Sequence, residues 1–428
     1  MTTIAMIGFA LLFFALVMAS IALHEVGHLV PAKLFGVKVT EYFVGFGKEL
    51  WATTRGETRY GVKLIPLGGY VRLTGMYPPA TDTGRPKGWL TRLADDARAV
   101  EYDTITEADR GRLFYEKKTW QKVVIMAGGP AMNILLAFLI FLGLNLFHGT
   151  YQPTLTVSSV SDCVIPAGRT ETTCLPGDPA TPAKQMGIQE GDVLLAFNGA
   201  PLTGWEQMGD LIRDNRDRAA VVEVERDGAV TTLPEAHTVL NHVPDRLDPS
   251  KTVEAGFLGV SPSYELVHGG PVATAQQMWT MTKQSAVALS TFPVRIYHTA
   301  ADLVTGQPRD PNGPLSIVGA SLVAGEIGVT DQLDGSARVA TWFSLLGSVN
   351  LFVALLNLVP LVPFDGGHIA GALYEWVRRR LARLVGKPDP GPVDTAKMLP
   401  VVYVVGGFLL LGGVVLIAAD ILSPIQLF

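Results

Sequence analysis

Two histidines and a glutamate near the start of the chain have the spacing of a metal site. The run HEVGH, from His24 to His28, follows a stretch at residues 4–23 that carries no charge and is long enough to cross a membrane as a helix. Residues four apart share one face of a helix, so both imidazoles can bind one ion, and Glu25 stands beside them as a candidate general base. Ionisable side chains at the end of a membrane span are costly and usually functional. The sequence therefore predicts a metal site here.

The composition indicates a membrane protein. Of the 428 residues, 48% are hydrophobic and 17% are charged, whereas soluble domains carry about 25% charged residues. The net charge of −5 leaves no basic excess that would indicate nucleic-acid binding. Cys163 and Cys174 are too few for a disulfide framework or a zinc knuckle. They form one disulfide if their segment lies outside the cytoplasm, or else remain free thiols.

Four stretches are apolar and long enough to span a bilayer. They lie at residues 4–23, 123–147, roughly 341–363, and 401–419. Lysines at 117, 118 and 122 precede the second stretch and arginines at 378–380 follow the third, so the positive-inside rule places 31–122 and 364–400 in the cytoplasm. The histidines then lie toward the cytoplasmic end of the first span. That span lacks a basic leader and a cleavage site, so we expect it to be retained.

The segments between the spans contain β-forming runs. Residues 60–75 are punctuated by Gly68-Gly69 and predict strands or a hairpin, which could offer an edge to an extended substrate or be an ordinary surface hairpin. Residues 183–199, 205–213 and 221–228 predict a strand with a tight turn, an amphipathic helix and a further strand. This pattern resembles a bacterial-protease PDZ domain, which implies peptide binding by strand addition. A small β-rich domain without a ligand is the alternative.

Two further segments predict helices without catalytic residues. Residues 271–306 have helical patterning and either lie along the outer membrane face or pack on the PDZ-like domain. In the second span, the run GGPAMN at 128–133 contains small residues that let helices approach closely, so packing is its predicted role, and direct contact with the metal site is the alternative.

A catalytic zinc ion normally takes three protein ligands and leaves one position for water, so a third ligand is needed. Two carboxylates are candidates, Asp365 and Glu49. Asp365 is the better one, because it ends the run NLVPLVPFD after the third span, at the depth of the histidines. Pro360 and Pro363 would break the helix there. Glu49 has the spacing of a soluble zincin ligand, but Pro31 and several glycines interrupt the helix pair that it would need. His368 could also be a ligand, but we expect it to have a structural role beside the ligands instead.

HExxH on the first span, the loop PLGGYV, one PDZ-like domain and NLVPLVPFDGG together resemble the site-2 protease family, nearest to its four-span RseP-type regulators, over nearly the whole chain. The resemblance implies a zinc-dependent intramembrane peptidase with His24, His28 and Asp365 as ligands and Glu25 as the catalytic base. It also implies a set of substrate-binding residues, namely Asn357, Pro360, Gly68, Gly69, Tyr70 and Val71. Many members have their second proline two residues after the first, whereas here it is three.

The expected fold is a polytopic α-helical membrane protein with four transmembrane helices, a membrane-associated β-hairpin and an inserted α+β PDZ domain. The predicted segments are 1–35 (first span with HExxH), 36–122 (cytoplasmic or re-entrant β region and loop), 123–150 (second span), 151–245 (PDZ domain), 246–340 (extracytoplasmic region with amphipathic helices), 341–377 (third span with NxxPxxxxDGG), 378–400 (basic cytoplasmic loop) and 401–428 (fourth span and C-terminus). The resemblance implies the plasma membrane of a bacterium, with the PDZ domain outside and the active site toward the cytoplasm.

The resemblance also implies the partners. The substrates would be single-span membrane proteins of the anti-sigma-factor type, already trimmed outside, and the PDZ-like domain would bind a substrate end or outer segment or act as a size filter. Two alternatives belong to other classes. An inactive membrane-tethered PDZ scaffold would not need Glu25 or Asp365, and a metal transporter would need ligands spread through several spans.

Overall fold

The computed structural model describes residues 2–79, 95–96, 98–99, 102, 105–165, 169, 173–245 and 252–425. Residues 80–94 of the predicted cytoplasmic loop lie outside this range. The chain forms two compact units. The first comprises Met1–Leu144 with Thr274–Phe428, and the second is Asn145–Ala273.

The elements follow one another in chain order. The first half contains α1 (Thr2–Leu34), β1 (Val39–Arg55), β2 (Thr58–Leu73), α2 (Thr119–Phe147), β3 (Thr150–Val160), α3 (Pro182–Met186), β4 (Val193–Phe197), β5 (Ala200–Pro201), α4 (Trp205–Asn215), β6 (Ala219–Ala220) and β7 (Val222–Arg226). The second half contains β8 (Ala229–Thr232), β9 (Ala236–His237), β10 (Val239–Pro244), β11 (Thr252–Phe257), β12 (Val260–Val267), α5 (Pro271–Thr305), α6 (Ile317–Val329), α7 (Gly335–Asn357), α8 (Asp365–Leu384) and α9 (Leu399–Leu422).

Within the described chain, four helices are long and apolar enough to cross a membrane, which confirms the number of spans predicted from the sequence. They are α1, α2, α7 and α9. The third span ends at Asn357, short of the predicted residue 363, because the chain turns before Pro360 and Pro363, which cannot continue a helix. Residues 365–377 of the segment predicted to end at 377 belong to α8, a separate helix that runs on through the three arginines.

Strands β1 and β2 fold back on themselves to give four adjacent strand segments. Tyr42 lies opposite both Val71 and Tyr60, and Tyr60 also lies opposite Thr53. The segments therefore stand in the order 51–55, 58–62, 41–44 and 69–73, with 69–73 at one edge. The Tyr42 hydroxyl donates a 2.8 Å hydrogen bond to the carbonyl oxygen of Ala22, which ties this sheet to α1 just before the histidines.

Helices α1 and α2 cross at a pair of glycines. A Cβ atom on Gly27 would lie 2.2 Å from the Gly128 carbonyl oxygen, and one on Gly128 would lie 1.9 Å from the Gly27 carbonyl oxygen. No side chain fits between the two backbones at these distances. The run GGPAMN thus has the packing role predicted for it, and the crossing lies within one turn of both histidines.

The second unit is built on a sheet with the order β12-β3-β4-β7-β8, in which β5 also pairs with β4. Its core contains Leu194, Met208, Ile212 and Val224, so β4, α4 and β7 pack together at the positions predicted for strand, helix and strand. The boundary predicted at 245 lies between β10 and β11, which pair with each other, and β12 joins β3. The compact unit therefore continues to Ala273. Cys163 and Cys174 form a disulfide in this unit, one of the two states that the sequence left open.

Candidate metal centre

His24, His28 and Asp365 form the one cluster of candidate metal ligands found among the described residues. The two histidines lie one turn apart on α1, and Asp365 is the first residue of α8. The two Nε2 atoms are 3.2 Å apart. Oδ2 of Asp365 lies 3.4 Å from Nε2 of His24 and 3.3 Å from Nε2 of His28. The fold thus brings Asp365 to two histidines that precede it by more than 330 positions along the chain.

The geometry of these three atoms fits zinc. A tetrahedral ion with ligands at about 2.0 Å separates its ligand atoms by about 3.3 Å, which is close to the three distances observed. Asp365 Oδ2 is buried without a hydrogen-bond partner, and a buried polar atom normally has one. Nδ1 of His28 lies 2.8 Å from the Ile125 carbonyl oxygen. Because that nitrogen must then carry the proton and donate it, Nε2 is left free to bind a metal.

Helix α2 contacts the two imidazoles with its backbone. A Cβ on Gly129 would lie 2.3 Å from His28 Nε2 and 2.6 Å from His24 Nε2. The sequence favoured packing over direct contact for this run, so the direct contact of Gly129 is a correction. The only signal in the sequence was a pair of adjacent glycines in an otherwise bulky apolar span, and nothing local indicates that they face histidines 100 residues away.

The start of α8 is fixed by close backbone packing. A Cβ on Gly366 would lie 2.4 Å from the carbonyl oxygens of both Leu358 and Val359. The glycine therefore lets the first turn of α8 sit directly on the turn that follows α7, and this contact sets the position of Asp365. Asn357, at the end of α7, donates its amide to the Val353 carbonyl oxygen at 3.1 Å.

A cavity of about 590 Å³ opens beside the cluster. Of the predicted site residues, those that line it are His24, Glu25, His28, Gly69, Tyr70, Val71, Asn357 and Asp365. Gly68 and Pro360 do not line it, and Pro363 and His368 do. Pro360 is instead exposed on the turn after α7. The alternative ligand Glu49 lies in β1, where it pairs with Arg59 at 2.6 Å.

The cavity extends from the three candidate metal ligands to the edge segment of the hairpin. Residues 69–73 all line it, and this segment has no strand partner on its outer side among the described residues. Glu25 lies between the two, since a Cβ on Gly69 would be 3.1 Å from Glu25 Cγ. The arrangement can therefore hold an extended chain between a strand edge and a metal ion, with a carboxylate in reach.

A buried ion pair holds α8 against α2. Lys122 Nζ lies 3.0 Å from Glu375 Oε2, and the two side chains are 5% and 4% exposed. Glu375 also accepts a hydrogen bond from the Val393 amide at 3.2 Å. The pair connects the helix that carries Asp365 to the helix that carries Gly129.

Comparison with known proteins gives a consistent result. The profile of the family described as "Peptidase family M50" matches residues 12–387. The chain is 34% identical to zinc metalloprotease Rip1 of Mycobacterium tuberculosis (strain H37Rv), with 97% of this chain and 98% of the relative covered. It is 32% identical to Rip1 of Mycolicibacterium smegmatis, over 99% and 100% of the two chains. Identity to zinc metalloprotease RasP of Oceanobacillus iheyensis is 26%, over 88% and 91%.

Proposed function

The chain belongs to peptidase family M50, the site-2 protease family, and is a zinc metalloprotease; from this premise we propose that it hydrolyses a peptide bond in or near the transmembrane segment of single-span membrane proteins. The observation that carries the proposal is the buried cluster of two histidines and an aspartate between apolar helices. A peptidase centre at this place acts on chains that enter the bilayer.

His24, His28 and Asp365 hold the zinc ion in this proposal, and Glu25 is the catalytic base. When bound, zinc activates water for attack at neutral pH and polarises the scissile carbonyl group. Glu25 follows His24 on α1 and lines the same cavity, so its carboxylate can take a proton from the attacking water. The same carboxyl group then gives that proton to the leaving amide nitrogen.

The hairpin edge at 69–73 binds the substrate backbone as an added strand. A transmembrane helix satisfies its own backbone hydrogen bonds, so its carbonyl groups are hidden until it unwinds locally. Pairing with the free edge replaces the lost hydrogen bonds and stabilises the unwound segment. Gly69, Tyr70 and Val71 contribute to this edge, and Asn357, which lines the same cavity, would contact the same segment.

The outer part of the hairpin enters the bilayer interface. Its exposed apolar side chains are Phe46, Leu50, Trp51, Leu64, Ile65 and Leu67. An apolar patch of this kind on a soluble loop would favour aggregation, whereas lipid solvates it. The lysines before α2 and the arginines after residue 377 support a cytoplasmic location for the hairpin and the zinc site. The disulfide between Cys163 and Cys174 supports an extracytoplasmic location for the second unit.

The substrates in this proposal are anti-sigma-factor-like proteins that have already lost their outer domains. The second unit, with its PDZ-like order of strands and helix, docks the trimmed outer segment or excludes substrates that are still intact. Cleavage would release a cytoplasmic fragment and so transmit a signal across the membrane.

The test compares the wild type with Glu25→Gln and Asp365→Ala in detergent, with metal content and cleavage of a trimmed single-span model substrate as readouts. We expect near one zinc per chain in the wild type and in Glu25→Gln, less zinc in Asp365→Ala, and cleavage by the wild type alone. Cleavage by Glu25→Gln with zinc bound would refute the role of Glu25. Equal zinc in Asp365→Ala would refute its role as a ligand, and function independent of both residues would favour a scaffold.

A further inference from the structure

Helix α8 carries an apolar face that the described chain leaves exposed. The side chains on it are Leu373, Tyr374, Val377, Leu381 and Leu384, each between 44% and 78% exposed. At about 100° per residue they fall within one sector of the helix about 100° wide. The buried residues Ala372 and Glu375 lie on the opposite side. The helix is therefore amphipathic, with its buried residues on one side and this exposed apolar face on the other.

Three cations lie on one flank of α8 or just beyond its end, Arg380 about 20° and Arg383 about 80° from the edge of the apolar sector. Arg380 and Arg383 are exposed on α8, and Lys387 is exposed just beyond its end. The Arg380 guanidinium lies 5.7 Å from the ring centre of Trp376. No described acidic residue pairs with any of the three, whereas Arg379 contacts Glu375 at 3.3 Å. This flank thus combines an aromatic ring with positive charges that no described carboxylate neutralises.

The position of α8 in the chain keeps it at a membrane surface. Residues 358–364 connect it to the end of α7, and the chain continues into the last span after residue 394. Both neighbouring helices are long enough to cross the bilayer, so both ends of α8 are held at the same side. Helices with Lys and Arg beside a Trp- and Leu-rich apolar face lie in the plane of the interface.

We propose that α8 lies in the bilayer interface and binds anionic phospholipid headgroups through Arg380, Arg383 and Lys387. Leu373, Val377 and Leu381 then enter the acyl-chain region. The charge complementarity is with a negatively charged bilayer surface, which attracts each nearby Lys or Arg by about 1 kcal/mol. The proposal does not depend on the cleavage reaction. By holding α8 in place, the lipid also holds Asp365, which is the first residue of that helix.

The test uses the full chain in nanodiscs of phosphatidylcholine alone or mixed with phosphatidylglycerol. The readout is amide hydrogen exchange in peptides that cover residues 373–387. We expect phosphatidylglycerol to slow this exchange, with roughly a fivefold effect for each arginine that contacts the headgroups. Arg380→Gln combined with Arg383→Gln should abolish the dependence on phosphatidylglycerol. The control pair, Arg55→Gln with Arg110→Gln, makes the same change of charge at exposed positions outside α8 and should preserve it.

Two further measurements distinguish binding to a bilayer surface from binding of a soluble anion. Leu381→Ser should speed exchange in both lipid mixtures, and because Leu381 is 55% exposed the fold should be retained. Inorganic phosphate added to phosphatidylcholine nanodiscs should have no effect, and slowing by phosphate alone would overturn the bilayer proposal in favour of a soluble anion. The proposal would also be overturned if phosphatidylglycerol did not slow exchange in the wild type, or if it slowed exchange in the double glutamine variant as much as in the wild type. Glu25→Gln should behave as wild type, so failure of the protease proposal would be seen separately.

Discussion

Gly129 and His28 are in direct contact, since a Cβ on the glycine would lie 2.3 Å from Nε2 of the imidazole. Helix α2 therefore presses bare backbone against the two rings that we propose bind zinc. The same nitrogen of His28 is 3.3 Å from Asp365, so the space around it is bounded on one side by α2 and on the other by α8. Any atom added at Gly129 must displace the imidazoles or move α2 away from them.

The first prediction is that Gly129→Ala impairs zinc binding. The new methyl group would overlap both Nε2 atoms, so the histidines could keep their positions only if α2 moved away. We expect zinc affinity to fall at least about tenfold, as it does when groups that orient metal ligands are lost. Metal content after dialysis against graded zinc buffers measures this.

Gly143→Ala is the matched control for this prediction. Gly143 lies in the same helix, and a Cβ there would have no atom within 4 Å. Its substitution should leave zinc affinity unchanged. Zinc binding by Gly129→Ala as tight as that of the control would show that the contact does not constrain the site.

The sequence predicted the metal cluster because its parts are local signals. Two histidines one helical turn apart can be recognised from their spacing as candidate metal ligands. A carboxylate after a proline-broken span can be placed at the same depth as His24. The contact of Gly129 could not be predicted in this way. It depends on where α1 and α2 cross, and the crossing is decided by the meeting of Gly27 with Gly128, which are distant in the chain.

Two boundaries in the structure differ from those expected from the sequence, namely the end of the third span and the end of the second unit. Hydropathy extended the third span to about residue 363, whereas the helix ends at Asn357, three residues before the first of the two prolines that the sequence predicted would break it. The second unit extends past 245 because β12 pairs with β3 across more than 100 residues. Strand alternation shows that a segment is a strand and does not show its partner.

The second prediction concerns the buried pair of Lys122 and Glu375. Glu375→Gln leaves a buried ammonium group without its counter-charge, which costs about 3 kcal/mol or more. Lys122→Met combined with Glu375→Gln removes both charges, keeps an acceptor for the Val393 amide, and should recover much of the loss. Unfolding in denaturant, followed by circular dichroism in detergent, measures these differences.

An exposed pair gives the comparison for this second prediction. Arg112 and Glu57 lie 2.6 Å apart but are 40% and 36% exposed. Glu57→Gln should therefore cost less than about 1 kcal/mol. If Glu375→Gln were equally mild, or if the double variant were less stable than the single one, burial would not be what makes the pair important.

The third prediction is a pH dependence of stability due to Asp109. The Lys38 ammonium, 2.8 Å away, and the Thr106 amide lower the pKa of Asp109 to about 2, from a usual value of 3.8. A carboxyl group with a lowered pKa stabilises the fold while it is ionised. Its contribution is fully present above about pH 4 and is lost as the pH falls toward 2. The wild type should thus lose more stability than Asp109→Asn over this range.

This third prediction is checked by unfolding both proteins at a series of pH values between 2 and 6. Other carboxylates also titrate in that window, so the difference between the two proteins is the informative quantity. It should be largest above pH 4 and shrink as Asp109 is protonated. A difference that stayed constant with pH would mean that the Lys38 contact does not hold Asp109 ionised.

The fourth prediction is that zinc removal destabilises the first unit, because in the proposed site the ion connects α1 to the start of α8. A ligand that binds only the folded state at 100 times its dissociation constant adds about 2.7 kcal/mol to stability. A chelator should therefore lower the melting temperature of the wild type, and added zinc should restore it. Glu25→Gln should respond in the same way, since Glu25 is not proposed as a ligand. Asp365→Ala should have a lower melting temperature from the start and should respond little to the chelator.

The two variants also define the outcomes that would contradict this fourth prediction. A full response in Asp365→Ala would mean that zinc is held without α8, and an absent response in Glu25→Gln would make Glu25 part of the ligand set.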